Sequence, residues 1–267
     1  MIRQKEKKLI NSVLTLLKAG YCHIETAHAY QNERSVRKAI KDSGIPRDQI
    51  RLTSKLWPNE YGEGKTLKAL DKMPVRLGVE YLDLVCLHQA VVNYLGARKE
   101  SEQTLKSGKV CAIEIPDFDV NNEVFNSSVE KVNIKPQIFQ IECHPYAQRD
   151  YWHQMAKKHD IKVEYRFPLG GRESNGLILK DPVINKIAKA HGKSVAQIIL
   201  RWHIQRGFIT IPGSSNPEHI KENINIFDFS LTADEMAQIN ALNKEKEYLQ
   251  CVMKSRKIPS IEPSSKS

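Results

Sequence analysis

Short runs of apolar and β-branched residues recur along the chain, each separated from the next by a longer stretch with helical periodicity. Strands are expected at 21–25 (YCHIE), 50–54 (IRLTS), 82–87 (LDLVCL), 110–115 (VCAIEI), 137–142 (QIFQIE), 162–167 (KVEYRF) and 208–211 (FITI). Helices are expected between them, at 33–42, 65–78, 95–107, 121–130, 148–158, 181–191 with 194–205, and 217–224. A strand followed by a helix returns the chain to the end where that strand began, so the next strand pairs with it in parallel. Seven such units point to an α/β fold, either a closed barrel or a wound sheet. The length of 267 residues suits a single barrel, which needs about 250.

The chain reads as one domain over 1–250, closed by a helix in "LTADEMAQINALNK" that begins with a Thr-x-x-Glu capping box. Residues 251–267 are rich in Ser, Pro and Lys and are expected to form a disordered tail. The first helix, at 4–18, has no strand in front of it, so a (β/α)8 barrel would lack its opening strand here. Pro74 falls inside an expected helix, where it would kink or restart it at a cost of about 3 kcal/mol.

Bulk properties exclude several function classes. The net charge of +10 is concentrated partly in "MIRQKEKK" and "KSRK", and no recognition motif accompanies it, so nucleic acid is not an expected partner. No apolar run reaches about 18 residues, and the N-terminus lacks a signal-peptide core, so neither a membrane nor secretion is expected. Cys22, Cys86, Cys111, Cys143 and Cys251 form no C-x-x-C pair and read as reduced thiols of a cytoplasmic protein, with no metal site.

Unusual polar residues gather where the strands end. Glu25, Lys55 and His88 follow the first three, Pro116 and Asp117 the fourth, and Gln140 and Glu142 close the fifth. Arg166 closes the sixth, and "IPGSS" follows the seventh. In a parallel barrel these ends surround one opening, where active sites are built. Two apparent nucleotide motifs fail. "GEGKT" at 62–66 approaches a phosphate loop, but position 59 is Asn where glycine is required, and no G-x-G-x-x-G is present.

"GYCHIETAHAYQNE" at 20–33 resembles the aldo-keto reductase signature G-Y-R-H-I-D-T-A-x-x-Y-x-N-E. "LTSKLWP" (52–58), "YLDLVCLHQ" (81–89), "KPQIFQIECHPY" (135–146), "LRWHIQRG" (200–207) and "IPGSSNPEHIKEN" (211–223) continue the likeness in the family's order, over about residues 9 to 245. "IPGSSNP" and "FDFSLT" look closest to the bacterial diketogluconate- and glyoxal-reductase-like branch. The resemblance implies a TIM-type (β/α)8 barrel without the N-terminal hairpin and first strand, and a monomer. It implies NAD(P)H-dependent reduction of a small aldehyde, ketone or dicarbonyl to the alcohol, with hydride from the nicotinamide and the proton from Tyr30.

By the same resemblance Lys55 and Glu25 tune Tyr30, while His88 and Trp57 receive the substrate. Gln140, Arg166, Ser214, Ser215, Asn216, His219, Glu222 and Asn223 would hold the cofactor, NADPH in preference to NADH. A tyrosine with pKa about 10 is a reluctant acid near neutrality, and a neighbouring ammonium favours its ionised form.

The sequence departs from the family pattern at several points. Glu25 replaces aspartate, and "EIPDF" at 114–118 replaces the G-V-S-N-F that holds the nicotinamide amide. Glu114 sets a carboxylate on an inward strand, which is costly unless paired. Arg166 stands for the stacking aromatic, and Gly213 and His219 stand for the lysine and arginine of the 2′-phosphate loop. A relative that binds nucleotide or a protein partner without turnover remains the alternative reading.

Overall fold

The computed structural model describes residues 6–91, 93–115, 121–246 and 248. The expected tail at 251–267, and Pro116 and Asp117, lie outside the described residues. The order opens with α1 (Glu6–Lys18), β1 (His23–Glu25), α2 (Glu33–Ser43), β2 (Arg51–Leu56), α3 (Lys65–Leu77) and β3 (Leu82–Leu87). It continues with α4 (Tyr94–Lys106), β4 (Val110–Ile115), α5 (Asn122–Glu130), β5 (Ile138–Glu142), α6 (Asp150–Lys158) and β6 (Lys162–Arg166). The last elements are α7 (Pro182–His191), α8 (Val195–Gln205), β7 (Ile209–Thr210), α9 (Pro217–Ile224) and α10 (Ala233–Asn240).

Local chemistry explains many of the boundaries. Asp181, Ser194, Asn216 and Thr232 each accept a backbone N–H in the first turn of the helix that follows. Pro182 and Pro217 open α7 and α9, where a missing N–H costs nothing. Gly44 ends α2 with φ of 68°, a left-handed conformation that favours glycine. The closing helix has the expected capping box but spans only eight residues. α3 runs through Pro74 as one helix and does not restart there. Pro74 is buried with Met73 and Leu77, so packing holds a residue that local propensity disfavours.

Among the described residues, seven strands form one all-parallel sheet in sequence order, β1 to β7. β2 is buried from Leu52 to Leu56, as a strand covered on both faces must be. The sheet is curled. In a flat sheet β1 and β6 would lie about 24 Å apart, five spacings of about 4.8 Å. Yet His23 on β1 and Glu164 on β6 approach to 3.5 Å.

β1 and β7 are the two edges. Across that gap α1 packs against α9, and Tyr21 Oη donates to the Ile220 carbonyl at 3.2 Å. Apolar packing fills the layer between sheet and helices as two clusters. One is built around Leu9, Leu52, Met73 and Val85, the other around Phe125, Phe139, Tyr165 and Trp202. The inward face of the sheet mixes Leu84, Cys86 and Ala112 with polar side chains, and the polar ones carry the candidate site.

Candidate active site

Several polar residues of the 23–33 segment have structural partners. His23 and Glu25 alternate with Ile24 on β1 and so point inward together. After the strand, Thr26 Oγ1 donates to Asn32 Oδ1 at 2.5 Å, closing the loop on itself. A single turn of tight helix at His28–Tyr30 is fixed by Tyr30 N–H to the Ala27 carbonyl (3.0 Å) and by His28 Nδ1 against Glu60 (2.7 Å). Gln31 takes φ of 51° to turn the chain into α2. There Glu33 is clamped by Ser54 Oγ at 3.1 Å and by Arg76. Tyr30 is therefore carried on a loop tied to β2 and α3.

Lys55 is 2% exposed and lies beside Glu25, with Nζ 3.2 Å from Oε1. Its ammonium also donates to Gln140 Oε1 at 2.6 Å. Gln140 Nε2 donates in turn to Glu25 Oε2 and to Glu164 Oε1, both at 2.5 Å. Burial disfavours the charge on Glu25, but Lys55, the Gln140 amide and His23 outweigh it and hold the carboxyl below its usual range. Glu25 and Lys55 thus form a charged pair within the curl of the sheet.

His88, directly after β3, has its ring 4.9 Å from Trp57 and 6.2 Å from Tyr30, edge-on in both cases. Burial and then the Lys55 ammonium lower its pKa to about 3. The imidazole is therefore neutral at pH 7, with one N–H to give. Trp57 Nε1 is buried and meets no partner among the described residues. Tyr30, Lys55, Glu25, His88 and Trp57 are thus brought to one end of the sheet.

The expected cofactor residues divide in two. Gln140 and Arg166 lie inside the curl, Arg166 with its guanidinium 5.2 Å from the Phe167 ring. Ser214, Ser215, Asn216, His219, Glu222 and Asn223 lie on or just before α9, far from Lys55 in sequence. Asn216 caps α9, accepting Glu218 N–H at 3.0 Å. Asn223 is buried, whereas Asn216 and His219 are exposed. Hydroxyl, amide and imidazole donors at a helix N-terminus suit a phosphate-bearing nucleotide, with less fixed charge than lysine and arginine would provide. Glu142 accepts from the Tyr248 N–H at 2.8 Å and faces His144 at 3.1 Å, which ties the C-terminal segment to the mouth of the sheet.

Three interior residues escaped the sequence reading: His23, Thr53 and Glu164. His23 Nε2 meets Thr53 Oγ1 at 2.8 Å, and its Nδ1 faces Glu164. The signal was available, because each lies two residues before Glu25, Lys55 and Arg166, on the same strand face. Glu114 is fully buried on β4, as its inward register implies.

Comparison with known proteins bears on this geometry. The Aldo/keto reductase family model matches residues 3–244. The chain is 40% identical over 239 residues to 9,11-endoperoxide prostaglandin H2 reductase of Trypanosoma cruzi, covering 88% of this chain and 83% of that protein. It is 38% identical over 236 residues to glyoxal reductase of Bacillus subtilis, with the same coverage of 88% and 83%. Among solved structures, MGS-M4, an aldo-keto reductase from a deep-sea metagenome library of the Medee basin, superposes with a TM-score of 0.89 at 36% identity. That match spans 93% of this chain and 91% of the other. A mutant form of Gox0644 in complex with NADPH superposes with a TM-score of 0.82 at 32% identity, over 91% and 87%. A parallel curled sheet, a buried lysine–carboxylate pair beside tyrosine and histidine, and these matches together make the chain a member of the aldo/keto reductase family.

Proposed function

We propose that this protein reduces small aldehydes, ketones or dicarbonyls to alcohols with NADPH, Tyr30 supplying the proton. The observation that carries the reading is the Lys55–Glu25 pair at 3.2 Å, set at the same end of the sheet as Tyr30 and His88. The nicotinamide, when bound, supplies the hydride. Lys55 favours the ionised phenol by its charge, so Tyr30 can release its proton to a developing alkoxide near neutral pH. Glu25 keeps that lysine charged and aimed.

The neutral His88 donates its N–H to the substrate oxygen, where negative charge grows as the reaction proceeds. It cannot compete with Tyr30 as acid, because a group with pKa about 3 holds no spare proton at pH 7. The buried Trp57 indole N–H, a donor without a described partner, suits a second substrate oxygen and so favours dicarbonyls. Glyoxal reductase among the relatives supports that substrate class. Ser214, Ser215, Asn216 and His219 would bind the phosphate end of the nucleotide, with Glu222 and Asn223 at the adenine and Arg166 against the nicotinamide ring. The relative solved with NADPH supports this cofactor.

The test is NADPH oxidation with methylglyoxal and a panel of small aldehydes, run beside Tyr30→Phe. Turnover is expected to fall by about a thousandfold in the variant, with NADPH affinity nearly unchanged. Equal turnover by Tyr30→Phe overturns the assignment, and micromolar NADPH binding without wild-type turnover marks a non-catalytic relative.

A further inference from the structure

The loop that carries Tyr30 and the loop that carries Trp57 meet on one carboxylate. We propose that Glu60 is a positioning residue, which fixes Trp57 directly and, through His28, fixes the turn that presents Tyr30. The inference rests on the reductase reading of Tyr30 and names the side chain that sets where the phenol stands.

Glu60 closes the single tight turn Pro58–Glu60 that follows β2. Its Oε2 accepts the Trp57 N–H at 2.8 Å, so the carboxylate folds back onto the first residue after the strand. Its Oε1 lies 2.7 Å from His28 Nδ1, on the loop after β1. A ring nitrogen that faces an anion this closely carries the proton. The approach is bent, so it acts as an electrostatic restraint more than as an aligned hydrogen bond. His28 opens the turn His28–Tyr30. Within it Tyr30 N–H donates to the Ala27 carbonyl and Gln31 N–H to the His28 carbonyl, each at 3.0 Å. A shift of His28 therefore carries Tyr30 with it.

Glu60 can clamp because it is itself held. Its carbonyl accepts Thr66 Oγ1, in the first turn of α3, at 3.1 Å. The next residue, Tyr61, is buried, and its hydroxyl donates to the Gln89 carbonyl at 3.1 Å and accepts the Gln89 N–H at 3.2 Å. Gln89 directly follows His88. The segment 57–61 thus touches the three loops that carry Tyr30, Trp57 and His88, and Glu60 is the member that reaches the loop of the proton donor.

Glu60→Ala, Glu60→Gln and His28→Ala are compared with wild type. Amide exchange is read by NMR, kcat with methylglyoxal at saturating NADPH, and NADPH affinity by fluorescence. In Glu60→Ala the amides of Tyr30 and Gln31 are expected to exchange about tenfold faster, while those of β3 and β4 keep their rates. A reacting group displaced by about 1 Å costs up to about a hundredfold, so kcat is expected to fall by about tenfold or more. The Kd for NADPH is expected to move less than about threefold. Glu60→Gln keeps an acceptor for Trp57 and offers an N–H to the other tautomer of His28. It is expected to recover most of both losses, which a merely space-filling role would not predict. His28→Ala is expected to lower kcat and to add little to Glu60→Ala in the double variant, because the two act in series.

Unchanged exchange at Tyr30 and Gln31 in Glu60→Ala overturns the proposal, and so does an unchanged kcat. A Glu60→Gln variant no better than Glu60→Ala, or a double variant whose losses multiply, overturns it as well. If Glu60→Ala fails to fold, His28→Ala decides, and a kcat equal to wild type then refutes the clamp. Tyr30→Phe tests the reductase reading separately. If that variant stays fully active the reading fails, while the amide rates of Tyr30 and Gln31 still decide whether Glu60 holds the turn.

Discussion

Restoring the family's aspartate, Glu25→Asp, is expected to slow this protein. The Glu25 carboxylate sits 3.2 Å from Lys55 Nζ. Two unit charges at that distance attract by about 5 kcal/mol at an effective dielectric of about 20. Removing one methylene draws the carboxylate back by about 1.5 Å, one carbon–carbon bond. At about 4.7 Å the attraction is about 3.5 kcal/mol, so about 1.7 kcal/mol is lost. Both groups are largely buried, at 16% and 2% exposure, so solvent screening does little to soften that loss. If the pair acts on Tyr30 in the transition state, kcat falls roughly fifteenfold, by the usual conversion of 1.36 kcal/mol per tenfold. The bond from Gln140 to Glu25 stretches as well, in the same direction. The assay is steady-state NADPH oxidation with methylglyoxal at saturating cofactor, with NADPH Kd measured in parallel to show that binding is kept. A Glu25→Asp variant equal to or faster than wild type refutes the idea that this site is arranged around the reach of a glutamate.

The loop proposed to bind the cofactor phosphate offers a gain of affinity. Gly213 is exposed, a Cβ added there meets no atom within 4 Å, and its backbone is not left-handed, so Gly213→Lys is tolerated. It is expected to tighten NADPH by about tenfold at low salt and to leave NADH unchanged, since each added phosphate contact is salt-sensitive; equal effects on both nucleotides would refute it. Acid stability follows from His88 and His203, which both titrate near pH 3 when folded and near 6.5 when unfolded. Between those values the unfolded chain binds protons that the native chain does not, so stability is intact above about pH 6.5 and is lost as pH falls, by up to about 1.4 kcal/mol per unit for each histidine. His203→Leu at this fully buried position is expected to flatten the slope of thermal stability between about pH 6.5 and 4.5, and an unchanged slope would sink the assignment. Pro74→Ala in α3 restores a helical N–H at the cost of part of a buried ring, and a gain of about 1–2 kcal/mol is expected, read as a Tm higher by about 2–6 °C. A lower Tm would mean that the ring's packing outweighs the missing hydrogen bond.

The alternation of strands and helices was legible because a parallel sheet covered on both faces leaves each strand as a short apolar run. β3 and β4 fall where their sequence runs put them, while β7 is only Ile209–Thr210, since an edge strand has one neighbour to pair with. The positions of Lys55 and His88 at strand ends were legible, whereas Tyr30, on a turn beyond β1, was expected only through the family signature. The turn that carries Tyr30 was not, because its shape depends on Glu60 and Ser54, contacts between distant segments that no local pattern encodes. The tie from Thr53 through His23, Glu164 and Gln140 to Lys55 was hidden for a related reason: it exists only once the sheet curls.

That tie also explains why the interior can be polar at all. Barrel interiors are normally filled by branched apolar side chains in layers. Here Lys55, Gln140 and Glu164 are buried in their place, with Glu25 and His23 beside them, and a buried charge persists only while its partners remain. Lys55 balances Glu25, Gln140 joins that pair to Glu164, and His23 closes on Glu164. Removing a single member strands another in a site that is largely closed to water. Stability is therefore tied to these positions more tightly than to Asn216 and His219 at α9, which are exposed.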